Sequence, residues 1–379
     1  MEDVPSEKLT LDEQLEGLAA GIVSRLGFDP PEIGAALRPP QLRVAKADEL
    51  GIKSYTVFAR GVPVIMLGGD LYPAIVQYCR AAATFFLPSQ PNGDRPSDLW
   101  PGARAALATT IDWCTSPAAN PRFPQFEVTP RQEQVAAAFA AYIYRFVLCH
   151  EMAHVTIEKL GNGDAEPVPG SSGDDIVTLR NSQNSELSAD RLGLEFQLRS
   201  LPDRSQIVTA LSAALYFVYF NALFDDSRLM LLAELVDQST WNIEYSHPPY
   251  LHRVANLMET ARLLEGDVAA EGLGILNASL SELIGEIRQA CMSSRDRVTD
   301  ETSQLLSSRD PHLNNALLLT LFGQSPLGVL RAIDSVKSEA SNSSHGKAVS
   351  RTLDLVAQLP EEFRVFYNMT REERSRELA

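Results

Sequence analysis

Basic residues are scarce in this chain. Its 379 residues include 33 lysines and arginines against 49 aspartates and glutamates, a formal net charge of −16. A nucleic-acid surface needs a basic patch, and so does attraction to anionic lipid, so neither partner is expected. Cysteine is also scarce. Cys79, Cys114, Cys149 and Cys291 are far apart and form no CxxC pair; such spacing reads as reduced thiols in a cytosol. The opening residues MEDVPSEKLTLDEQ lack a basic stretch followed by an apolar run, so no secretory signal is expected and the location reads as cytoplasmic. The sequons at Asn277, Asn342 and Asn368 are then chance matches. No internal repeat is evident. Apolar residues at 45% and charged residues at 22% are ordinary for a soluble protein, and the length suits one large or two modest domains.

One stretch lacks charge altogether. IVTALSAALYFVYFNALF (207–224) approaches the length of a membrane span. It also holds Thr209, Ser212 and Asn221, lacks flanking basic clusters, and follows Asp203 and Gln206, a capping box of the kind that opens soluble helices. It reads as a buried core helix, with membrane contact through 207–224 as the alternative.

Elsewhere the punctuation is clear. Thr10 with Glu13 caps a helix carrying Leu11, Leu15, Leu18, Ile22 and Leu26, closed at Gly27. DPPEIGAALRPP (29–40) reads as a break. TVFA and VPVIML, separated by Arg60-Gly61, read as two strands, and a helix is predicted from about Leu71. Residues 88–128, rich in Pro, Gly and Asn, read as a mostly irregular insertion with a short helix near 101–112. Thr129-Pro130-Arg131-Gln132 combines an N-cap, a proline at the first helical position and a capping-box glutamine. The helix it opens runs to Gly161. An acidic, Gly- and Pro-rich loop at 161–175 reads as a surface insertion, with a lid or self-inhibitory segment as the alternative. Helices are predicted over 184–200, 207–224, 225–238 and from about 246 to 264. Residues 267–379 read as helical, broken at 295–302, 308–311 and 341–347. The expected fold is mostly α with a small β-sheet: an N-terminal helical segment (1–50), a central domain (51–265) and a helical C-terminal region (266–379).

Histidine is scarce too, with six in the chain, yet two of them flank a glutamate in His150-Glu151-Met152-Ala153-His154. Residues four apart share one face of a helix, so both imidazoles can chelate one metal. Glu151 is offset around the helix and can serve as a general base. The plainer reading is two core or surface histidines, but a buried His-Glu-His without a metal would carry desolvation costs that need partners. A catalytic zinc usually has three protein ligands. Ile157 and Leu160 exclude the metzincin pattern. Glu158 sits one turn beyond His154 on the same helix and reads as a solvated charge. Glu186 and Asp190, again four apart on a downstream helix, fit better: Glu186 as a ligand, and Asp190 as acceptor of a ligand histidine's other ring N–H. Alone, such a pair would read as a solvated helix face.

HEMAH followed by ELSAD resembles the HExxH…ExxAD arrangement of gluzincin metallopeptidases of the CAAX-prenyl-protease and heat-shock membrane-protease type, with their small soluble relatives. TVFARGVPVIMLGGDLY (56–72) resembles that family's paired strands, and SHPPYLHRVANL (246–257) its downstream segment. A weaker similarity is to bacterial phage-exclusion peptidases. The resemblance implies a zincin-like domain with zinc on His150, His154 and Glu186, Glu151 as base and Asp190 as brace. It also implies that His247 helps hold the oxyanion, and that Arg253 pairs with an acid near the site; His247 also reads simply as a residue at a helix start. The expected activity is zinc-dependent endopeptidase action on a protein or peptide substrate. That substrate is expected to add as a strand along the edge of 56–67. The alternative is a non-catalytic zinc-containing scaffold whose helical C-terminal region binds a partner protein.

Overall fold

A computed structural model of the chain describes residues 11–26, 31–37, 41–47, 52–59, 62–115, 123–160, 165–167, 176–179, 183–235 and 248–307. Within them, the helices far outnumber the strands, which form one sheet, so the fold is mostly α with a small β-sheet. Helix α1 (Leu11–Leu26) buries Leu15, Ile22 and Leu26, with Leu18 partly covered, as its spacing predicts. A short helix, α2 (Pro31–Ala36), lies in the segment read as a break; proline at its first position has the fixed φ a helix start accepts.

Strands β1 (Arg43–Ala47), β2 (Ser54–Ala59) and β3 (Val62–Gly68) come next. β2 and β3 pair antiparallel, from Ser54 opposite Leu67 to Ala59 opposite Val62. β1 was not predicted. It pairs parallel with β3, so the 1–50 segment contributes to the sheet. Its RVAKA sequence buries Val44 while Arg43 and Lys46 stay exposed, a pattern too short and too basic to stand out as a strand. Two more strands were not predicted: β4 (Ala165–Pro167) lies inside the segment read as a loop at 161–175, and β5 (Ile176–Leu179) follows directly after it. The sheet order is β1-β3-β2-β5-β4. This corrects the expectation of an open edge at 56–67: Val57, Phe58 and Ala59 of β2 already pair with Thr178, Val177 and Ile176 of β5.

Helix α3 (Leu71–Phe86) starts where expected. α4 (Trp100–Thr115) is longer than its sequence suggested, and it buries Trp100, Ala103, Leu107 and Ile111. The 88–128 segment therefore supplies a core helix. α5 (Pro130–Lys159) opens with the predicted capping box. The Thr129 hydroxyl accepts from the Gln132 N–H, and the Gln132 side chain accepts from the Thr129 N–H at 2.9 Å. From Ile143 to Thr156 its inner face is buried without interruption, including Phe146, Val147, Leu148 and Met152. Each such side chain contributes about 1.5–3 kcal/mol by leaving water.

After α6 (Gln183–Arg199), a 3-10 turn (Arg204–Gln206) leads into α7 (Ile207–Leu235). Asp203 caps that turn by accepting from the Ser205 N–H, so no capping box with Gln206 forms. Residues 225–235 continue α7 where a separate helix was expected. Two segments, Pro130–Lys159 and Arg204–Asp225, are long and apolar enough to cross a membrane by length and composition. In the second, 78% of the apolar window is buried inside the fold. There Ala210–Phe220 are buried, as α7 packs against α4, α5, α6 and the two helices that follow it, which accounts for the absence of charge. α8 (Tyr250–Glu265) stops at Gly266, whose φ of 89° is left-handed and suits glycine. α9 (Asp267–Ser307) runs unbroken through 295–302, where a break was expected. Its Leu280, Leu283, Ile284 and Ile287 join the same core as α4 and α7. Residues 308–379, and with them the expected breaks at 308–311 and 341–347, lie outside the described residues.

Candidate metal and active site

α5 and α6 lie against each other across the middle of the molecule. Their approach is set by Gly193: a Cβ there would meet His150 Cα at 2.9 Å and His150 N at 3.0 Å. Only glycine lets the two backbones come this close. The rest of α6 is clamped on both sides. Gln197 donates to the Tyr142 carbonyl at 2.9 Å, and Asn256 of α8 donates to the Leu187 carbonyl at 2.8 Å. Arg25 and Arg145 both donate to the Ser200 carbonyl at the C-terminal end of α6, where cations complement the helix dipole.

This packing brings His150, His154 and Glu186 together, all buried, with their donor atoms within 4.8 Å of one another. His150 Nε2 lies 3.1 Å from His154 Nε2 and 3.4 Å from one Glu186 oxygen. The other Glu186 oxygen lies 3.3 Å from His154 Nε2. The donor set is that of a divalent transition metal: two imidazole nitrogens and a carboxylate. The spacing also fits, because zinc bonds of about 2.0–2.1 Å in a tetrahedron place ligand atoms about 3.3 Å apart. Two ring nitrogens facing each other at 3.1 Å require a proton or a cation between their lone pairs.

Behind the cluster is a buried relay. Asp190 Oδ1 lies 3.1 Å from His150 Nδ1, the ring atom turned away from the cluster. Arg253 of α8 grips Asp190 with two bonds, Nε to Oδ2 at 2.7 Å and Nη2 to Oδ1 at 2.6 Å. Burial alone would raise the Asp190 carboxyl, but the Arg253 guanidinium outweighs it and holds the group below the usual carboxylate range. Burial likewise opposes charge on His150. The Asp190 and Glu186 carboxylates beside it win and push its imidazolium up to about 10. Phe146 and Phe217 stand against the His150 ring, with centroids 6.2 and 6.3 Å away, and Arg253 lies over Phe217. These rings wall off the relay and leave the polar partners to one another.

Glu151 is buried beside the two histidines and is reached from the sheet. Thr56 Oγ1 on β2 donates to Glu151 Oε2 at 2.7 Å. This contact was not foreseen from the sequence; a threonine in a β-branched run carries no signal of it. Burial pushes the neighbouring Cys149 thiol up to about 12, so Cys149 is neither a nucleophile nor a thiolate ligand at neutral pH. All four cysteines are free. Glu158 is outside the donor cluster. His247 lies outside the described residues, as do 161–164 and 168–175. Pro248 and Pro249, just after His247, lead directly into α8 and its Arg253.

No curated protein and no solved structure matches the chain. A family model described as Peptidase U49 matches residues 84–273. That range is half of the chain and contains His150, Glu151, His154, Glu186, Asp190 and Arg253, while Thr56 precedes it. A match of that extent over the whole helical cluster makes the protein a peptidase, a member of the U49 family.

Proposed function

We propose that the protein is a zinc-dependent endopeptidase of the gluzincin type, acting in the cytoplasm on a protein or peptide substrate. The observation that carries this reading is the convergence of the buried His150, His154 and Glu186 donor atoms, with the buried Glu151 next to His150 on the same helix. Zinc held by those three residues would supply Lewis acidity, polarising both water and the scissile carbonyl. Glu151 takes a proton from the attacking water as its oxygen adds to the carbonyl carbon. Glu151 then returns that proton to the amine nitrogen as the C–N bond breaks. Once the His150 imidazolium gives up its Nε2 proton to make room for a metal, Asp190 would keep the remaining ring proton on Nδ1 and so turn the Nε2 lone pair toward the cluster. Arg253 keeps Asp190 ionised for that task. The four free thiols support a reducing compartment.

The test pairs metal analysis with Glu151→Gln. Both purified forms should hold about one zinc per chain, because Glu151 is not a ligand. Cleavage of a peptide library, read by mass spectrometry, should fall about a thousandfold in the variant. Wild-type protein without zinc, or full cleavage by Glu151→Gln, would sink the reading.

A further inference from the structure

Thr56 stands on β2, 95 residues before Glu151, and precedes the segment matched by the family. Its hydroxyl is 2.7 Å from Glu151 Oε2 and 3.3 Å from the Glu151 backbone carbonyl. A hydroxyl has one proton to give. The shorter, charge-assisted bond to the carboxylate takes it. Both partners are buried, Thr56 at 8% exposure and Glu151 at 5%, so water does not readily replace the contact.

We infer that Thr56 is the positioning residue for the general base, a role that rests on Glu151 acting as that base. A glutamate has three side-chain torsions, and a helix backbone alone leaves its carboxylate free to swing. Donation from Thr56 fixes one oxygen and leaves the other to accept the water's proton. Threonine suits the task because its β-branched side chain is stiff at χ1. The strand that carries it is also rigid. Thr56 is opposite Ile65 on β3, which is buried from Pro63 to Gly68 and which β1 pairs on its other side. The base is therefore set by the distance between sheet and helix, and not by α5 alone. A proton-transferring group must be held within about 0.5 Å of its productive position, and a sheet-anchored hydroxyl supplies that restraint.

The experiment compares Thr56→Val, which keeps the shape and removes the hydroxyl, with Thr56→Ser, which keeps the hydroxyl. The full-length protein is assayed on a peptide taken from the library screen. Thr56→Val should lower kcat about 10–100-fold and leave KM within about twofold. Thr56→Ser should restore most of that loss, and zinc content should stay at about one per chain in both. A purely structural threonine would lower the melting temperature without this kcat-specific loss and serine rescue. A second measurement needs no substrate. In a thermal double-mutant cycle with Glu151→Ala, Thr56→Val should cost about 2 °C or more only when the carboxylate is present. Wild-type kcat in Thr56→Val, a loss confined to KM, failure of serine to rescue, or no thermal coupling would each overturn the inference. If Glu151→Gln is inactive while Thr56→Val is fully active, only the positioning role fails. If Glu151→Gln is itself fully active, the base assignment fails and takes the positioning role with it.

Discussion

The two sides of the site are built by different means. On the helical side, α5, α6 and α8 deliver two imidazoles, three carboxylates and a guanidinium, all buried. On the sheet side, the hydrogen bond from the described residues to the site residues comes from Thr56. The helical side is dense because helices repeat. A ligand at one position finds a second four residues on, on the same face, and two such helices laid together make a closed set. A strand turns every second residue to one face and reaches a helix beneath it at a few points. The helical side therefore sets what the site can hold, and the sheet side sets how one of its groups is aimed. Substitutions on the two sides should fail in different ways.

The largest failure is expected on the helical side, at the Arg253–Asp190 pair. Both groups are almost fully buried, and removing one partner of such a pair typically costs about 3–5 kcal/mol because the other charge is left in the interior. Arg253→Ala should lower the free energy of unfolding by about that amount in urea titration. It should also weaken zinc binding about 10–100-fold, since Asp190 then no longer braces His150 reliably. A variant that loses stability but binds zinc as tightly as wild type would detach the relay from the metal cluster. That result would undo the unity claimed for the helical side.

Gly193→Ala should be milder and more selective. The added methyl meets the His150 backbone at 2.9 Å, and backbone cannot swing aside as a side chain can. α6 must retreat from α5 by several tenths of an ångström, at a cost of about 1–3 kcal/mol. Glu186 and Asp190 ride on the same helix, so zinc affinity should fall about tenfold. Isothermal titration with zinc against the stripped protein reads this directly. Unchanged affinity would mean that the cluster tolerates the shift.

The same division separates what could be read in the sequence from what could not. The convergence of His150, His154, Glu186 and Asp190 is legible because each pair stands four residues apart on one helix, whereas the pairing of Arg253 with an acid was expected from the family resemblance alone. The helix start at Thr129 is legible because a cap is local chemistry, and the start near Leu71 because Gly68-Gly69 ends the strand before it, although Asp70 makes no side-chain cap. β1, β4 and β5 were missed. They are three to five residues long and exist because they pair with distant partners, as Arg43 does with Val64 and Ile176 with Ala59. Missing β5 also produced the error about the open edge of β2. Gly193 had a signal that went unused: a glycine inside a helix often marks a close approach. Thr56 had none, because nothing in SYTVFA distinguishes a threonine facing a carboxylate from one facing solvent. Burial, not periodicity, decided the 207–224 helix, and the long unbroken α9 shows that polar stretches such as 295–302 need not end a helix when its earlier turns are anchored in a core.

The smallest effect is expected where α5 begins. Thr129 caps the helix 21 residues before His150, about 30 Å away along the axis. Thr129→Ala removes one side-chain acceptor and leaves the Gln132 N–H without its cap partner, at a cost of about 1 kcal/mol. The melting temperature should drop by about 2 °C. Zinc content and kcat should stay as in wild type. The core face from Ile143 to Thr156 holds the histidines in place, and fraying of the first turn does not reach them. If Thr129→Ala instead weakens zinc binding in proportion to its loss of stability, then α5 moves as one rigid rod. In that case the helical side owes its precision to the whole helix and not to its packing against α6.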